Sequence, residues 1–139
     1  MNATADNQLA DITAFLAHLT ETEQYNEPEG YHFWPAGYPG APAGSPAYTG
    51  TCTVGAAIIA KRFGGSIWGY SENPVATVSP TGHDFAIVGV WLVDWWAFNV
   101  EGSAPKMIFN LETEADLIAS LYGPSQAWEP TSFFQPFAV

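Results

Sequence analysis

His83-Asp84-Phe85-Ala86-Ile87-Val88-Gly89-Val90-Trp91-Leu92-Val93-Asp94-Trp95-Trp96 is the stretch on which the fold depends. Two strand-like runs meet at Gly89-Val90, and glycine in the first central position is what a two-residue type II′ hairpin turn requires. With that turn Val88 pairs with Trp91, Ile87 faces Leu92 and Phe85 faces Asp94. Side chains alternate along a strand, so His83, Phe85, Ile87, Leu92 and Asp94 share one side of the sheet. Asp94 then lies diagonally across from His83, where backbones are roughly 7 to 8 Å apart and an imidazole-carboxylate hydrogen bond can form. A three-residue loop would put Asp94 on the opposite face, so the turn decides whether the pair exists. Asp84, the other nearby carboxylate, alternates away from His83.

Upstream, Tyr48-Thr49-Gly50-Thr51-Cys52-Thr53-Val54-Gly55-Ala56-Ala57-Ile58-Ile59-Ala60-Lys61-Arg62-Phe63-Gly64-Gly65 places the one cysteine of the chain at the start of an apolar helix. Thr51 is an acceptable N-cap, Lys61 and Arg62 suit the carboxyl end, and Gly64-Gly65 supplies a left-handed stop. Cys52 is therefore expected in the first turn, among unpaired backbone N–H groups. The helix dipole stabilises an anion there by only about 0.3 to 1 kcal/mol. A thiol with an ordinary pKa of about 8.5 needs a stronger partner, such as an imidazolium, to ionise at neutral pH.

The remaining segments frame these two. Leu9, Ile12, Leu16 and Leu19 recur at helical spacing, with Phe15 widening the face, and predict a packing helix over residues 6–25 that Asp6 or Asn7 opens; His18 reads as a surface side chain. Residues 27–50 hold five prolines and five glycines, which exclude a regular helix or a central strand. Their aromatic residues, Trp34 and Tyr48 among them, are expected to drape over the body as one wall of a cleft. Residues 66–70 and 75–78 read as short strands, residues 97–100 as the exit from the hairpin, and residues 106–109 as one more strand. A second amphipathic helix is expected over residues 112–122, with Leu117, Ile118 and Leu121 inward and Gly123-Pro124 as its stop. The tail over residues 125–139 carries Trp128, Phe133, Phe134 and Phe137, and is expected to pack back onto the domain.

The chain is 139 residues long, enough for one domain with a real core. The organisation expected over residues 1–139 is an amino-terminal helix, an aromatic loop, a core at residues 51–110, and a carboxyl-terminal helix and tail at 111–139. One cysteine excludes an intramolecular disulfide and cysteine-rich zinc sites. The formal charge of -11 repels nucleic acid and anionic membrane surfaces. No apolar run approaches the roughly 20 residues of a spanning helix, and the first residues lack the pattern of a signal peptide. A cytoplasmic location is the expectation, with no nucleic-acid or membrane partner; oligomeric state is not legible.

A thiol nucleophile needs a base in contact, and the base needs an acceptor on its other ring nitrogen. Cys52, His83 and Asp94 supply that set in order: attack on an acyl carbon, proton transfer, and fixing of the imidazole tautomer. The N–H of Cys52 can donate to an oxyanion; no second donor is identified. Trp34, Tyr48, Trp95 and Trp96 are the expected substrate contacts. Three mixed ligands without a fourth make a poor metal site, and neither a metal nor an organic cofactor is expected.

Gly50-Thr51-Cys52 before an apolar helix, Gly82-His83-Asp84-Phe85 on one strand and Leu92-Val93-Asp94-Trp95-Trp96 on its neighbour resemble the papain-like and transglutaminase-like cysteine enzymes. The resemblance covers residues 48–97. It implies an α+β fold, a small antiparallel sheet packed against a central cysteine-bearing helix, and acyl transfer on a peptide, protein or small amide through a Cys-His-Asp triad. Two departures stand out: His83 lies only 31 positions after Cys52, and no Gln or Asn directly precedes Cys52. The alternative is a catalytically silent domain that binds through its aromatic surface.

Overall fold

A computed structural model describes residues 3–22, 34–35, 47–48 and 51–130. Its elements are α1 (Ala3–Thr22), β1 (Trp34–Pro35), β2 (Ala47–Tyr48), α2 (Thr51–Phe63), β3 (Ser66–Tyr70), β4 (His83–Val88), β5 (Trp91–Val93), a π-helical turn (Ala97–Glu101), β6 (Ile108–Asn110), α3 (Ala115–Tyr122), a short 3-10 turn (Ser125–Ala127) and β7 (Glu129–Pro130). The fold is α+β. Strands β6, β5, β4, β3 and β7 form, in that order, an antiparallel five-stranded sheet.

The β4–β5 hairpin closes through two residues. Val88 pairs with Trp91, Ile87 with Leu92 and Ala86 with Val93. Gly89 takes φ +60° while Val90 keeps a negative φ, the combination of a type II′ turn. This register divides the sheet into two faces.

Ala86, Val88, Trp91 and Val93 point to one face, where they join Ile12, Leu16 and Leu19 of α1 and Ala56, Ile58 and Ile59 of α2 in one apolar cluster. Burying each large aliphatic side chain there contributes roughly 1.5 to 3 kcal/mol. Indole N–H groups tie α1 to the sheet: Trp91 Nε1 donates to the Ala5 carbonyl at 3.2 Å, and Trp95 Nε1 to Thr20 Oγ1 at 3.0 Å. Phe15 meets Phe63 edge-on, and the Arg62 guanidinium lies over both rings. Gly64 ends α2 at φ +68°, which lets the Gly65 N–H reach the Ala60 carbonyl.

Phe85 and Leu92 point the other way, into a second cluster with Tyr70, Val78, Phe109, Ile118, Tyr122 and Trp128. Glu114 sets α3 on this face: its carboxylate accepts the Asn110 N–H at 3.0 Å and pairs with Lys106, while Asn110 Oδ1 accepts the N–H groups of Glu112 and Thr113. The hydrogen bond to Lys106 leads the causes that lower the Glu114 pKa, followed by the bond from Asn110.

Several local expectations are corrected. α1 begins at Ala3, so Asp6 lies in its first turn, where its charge complements the dipole, and does not cap it. Thr51 lies inside α2 and not before it. Residues 75–78 form no strand: the N–H groups of Thr77 and Val78 both donate to the Leu121 carbonyl, and the Val78 carbonyl accepts the Tyr70 hydroxyl. Residues 97–100 are helical, and the strand expected at 106–109 runs from Ile108 to Asn110. α3 starts at Ala115, buries Ile118 and Tyr122, and leaves Leu117 38% exposed. Trp128 does pack back, edge-on to Phe85, with its N–H on the Tyr122 carbonyl at 2.9 Å. In the proline-rich region Trp34 pairs with Ala47 and Pro35 with Tyr48 in parallel; the cleft wall expected of residues 27–50, and Phe133, Phe134 and Phe137, lie outside the described residues. No described helix is long and apolar enough to cross a membrane.

Candidate active site

His83 opens β4 opposite Tyr70 of β3. Asp94 follows β5, its N–H still bonded to the Met107 carbonyl at 2.8 Å as a continuation of the pairing with β6. The two side chains meet, with His83 Nε2 2.6 Å from Asp94 Oδ2. Each residue is only 3% exposed. The diagonal placement that follows from the Gly89-Val90 turn is therefore the placement in the structure.

Asp94 uses both oxygens. Oδ1 accepts the Ala97 N–H at 3.1 Å and so caps the helical turn that begins at Trp95, while Oδ2 accepts from His83 and from the Tyr122 hydroxyl at 2.9 Å. Turn cap and imidazole partner are thus one carboxylate. Asp84 leans over Gly69 of the neighbouring strand: a Cβ on Gly69 would lie 2.3 Å from Asp84 Oδ1.

Aromatic rings enclose the pair. Trp96 lies 5.5 Å from the imidazole centroid, Phe85 and Tyr122 each 6.1 Å and Tyr70 6.3 Å. Tyr122 was not legible as a site residue, because helical spacing on α3 points to Leu121; nothing in the local sequence marks its phenol as a partner of Asp94. Asp94 as a cap carries a signal, an aspartate three residues before the N–H it accepts.

Cys52 stands in the first turn of α2 and is partly buried. One turn on, Gly55 abuts Trp96, so that a Cβ on Gly55 would lie 3.9 Å from the Trp96 Cβ. Trp96 in turn packs on His83, which brings the start of α2 to the imidazole. Burial opposes the charged form of His83, but the Asp94 charge, the hydrogen bond to Asp94 and the hydrogen bond and charge of Cys52 outweigh it and lift the His83 pKa to about 10. Nδ1, the ring nitrogen that does not face Asp94, is buried as well.

The four aromatic contacts expected of the substrate separate. Trp96 lies at the pair, and its buried Nε1 has no hydrogen-bond partner among the described residues. Trp95 is 3% exposed and packs with α1 through Thr20, so it is not brought to the imidazole. The side chains of Trp34 and Tyr48 lie outside the described residues. Among the described residues no three His, Cys, Asp or Glu side chains are grouped to hold a metal ion. Comparison of the chain with protein-family models, with curated proteins and with solved structures finds no match.

Proposed function

We propose that this is a papain-like cysteine enzyme that performs acyl transfer on an amide or peptide, as a peptidase, amidase, deamidase or transglutaminase-type activity. The observation that carries the proposal is a buried imidazole whose Nε2 lies 2.6 Å from the Asp94 carboxylate, with the Cys52 thiol acting on the same ring. The Cys52 proton passes to His83, and the sulfur attacks the acyl carbon. His83 then protonates the leaving amine as the carbon-nitrogen bond breaks, which leaves a thioester on Cys52. Water or an amine, deprotonated by His83, cleaves the thioester and returns the thiol.

Asp94 keeps Nε2–H bonded, so that Nδ1 is the nitrogen presented to sulfur and substrate. Trp96 covers the imidazole. The mechanism needs no cofactor. The test is a panel of electrophilic thiol probes built on peptide, glutamine and peptidoglycan-like amides. The expected result is covalent labelling at Cys52, slowed about 100-fold or more in His83→Ala. Equal labelling of both proteins would leave the aromatic binding domain as the better account.

A further inference from the structure

The geometry points to Tyr122 as a positioning residue that, on the acyl-transfer reading above, fixes the Asp94 carboxylate for His83 through its phenolic O–H. Three donors from three elements converge on this carboxylate: His83 Nε2 from β4 at 2.6 Å, the Tyr122 hydroxyl from α3 at 2.9 Å, and the Ala97 N–H from the helical turn at 3.1 Å. An aspartate has a broad preference about its terminal torsion. A single donor would leave its plane free to turn, whereas donors on both oxygens define the plane, and with it the direction of the His83 ring.

Tyr122 is built for that contact. It is 0% exposed, its ring stacks on His83 at a 20° interplanar angle, and Phe85 and Phe109 pack against it. Phenylalanine would fill this apolar shell equally well; only the hydroxyl reaches the carboxylate. By sharing Oδ2 with the imidazole, the hydroxyl draws charge from that oxygen and keeps the Nε2 proton on histidine. Tyr70, Glu101 and Asp94 are the titratable groups that act on the phenol, and burial together with the Asp94 charge keeps its proton in place. It is a donor over the whole working range of the site.

The test is a double-mutant cycle of Tyr122→Phe and Asp94→Asn, read by the NMR titration of the His83 ring and by Cys52 alkylation against pH. Tyr122→Phe is expected to move the His83 midpoint by about half a unit or more in the Asp94 protein, to slow alkylation about threefold or more, and to do neither in the Asp94→Asn background. A fluorinated tyrosine at position 122 keeps the ring and donates more strongly; it should move the midpoint the opposite way. Equal shifts in both backgrounds would reduce Tyr122 to packing and overturn the proposal, as would no shift in either. Midpoint shifts confined to the Asp94 background, with alkylation indifferent to every variant, would support the hold of Tyr122 on Asp94 and overturn the acyl-transfer reading instead.

Discussion

The two faces of one hairpin solve opposite problems. On the side of α1 and α2, Ala86, Val88, Trp91 and Val93 pack into an apolar cluster in which the Trp91 indole N–H is satisfied by the Ala5 carbonyl, and shape dominates the packing. On the other side the same two strands bring His83 and Asp94 into a shell of Tyr70, Phe85, Trp96 and Tyr122, where charge is the harder matter. A buried ion pair holds together only while each member keeps its partners. Alternation along the six residues of β4 separates an apolar packing face from a buried polar pair within one strand.

The largest effect should come from breaking the polar face. Asp94→Ala leaves a charged imidazole and the Tyr122 hydroxyl without their acceptor, and is expected to cost about 3 to 5 kcal/mol in denaturant unfolding at pH 7. A loss below about 1 kcal/mol would mean that the pair contributes little to the fold. The matching probe of the apolar face is Ile59→Ala, fully buried between helix and sheet, with an expected loss of about 2 to 4 kcal/mol. That variant should keep the pH profile of Cys52 alkylation unchanged. A displaced profile would show that the two faces are not independent.

Sequence made the polar face legible as far as one turn reaches. Gly89 fixed the register, and the register alone brought Asp94 to His83. Trp95 and Trp96 looked alike in sequence, yet the cap that Asp94 forms turns the chain helical after β5 and sends one indole to α1 and the other to the imidazole. Tyr122 escaped for a different reason. Which side of α3 faces inward is set by the anchoring of Glu114 on Asn110 and Lys106 and by the seat of Trp128, contacts that helical periodicity does not contain. Residues 75–78 have strand-like composition, but the N–H groups of Thr77 and Val78 are taken by the end of α3 and that of Ala76 by the Asn73 carbonyl.

A third effect separates the faces by pH. The His83 pKa rises from an unfolded value near 6.5 to about 10 on folding. Its contribution is therefore complete below about pH 6.5 and is lost as pH climbs through the folded value. Wild-type stability should fall by on the order of 4 kcal/mol between pH 6.5 and 10, and His83→Gln should flatten that slope; Ile59→Ala should preserve it. Chemical denaturation at a series of pH values measures all three.

The most direct measurement is the rate of Cys52 alkylation by iodoacetamide from pH 5 to 9 in the wild type and in His83→Ala. If His83 and Asp94 serve the thiol, the wild type should react at least about tenfold faster than the variant at pH 6.5, and the two curves should converge at high pH. Superimposable curves across the range would contradict the account, leaving Cys52 an ordinary thiol beside a buried ion pair.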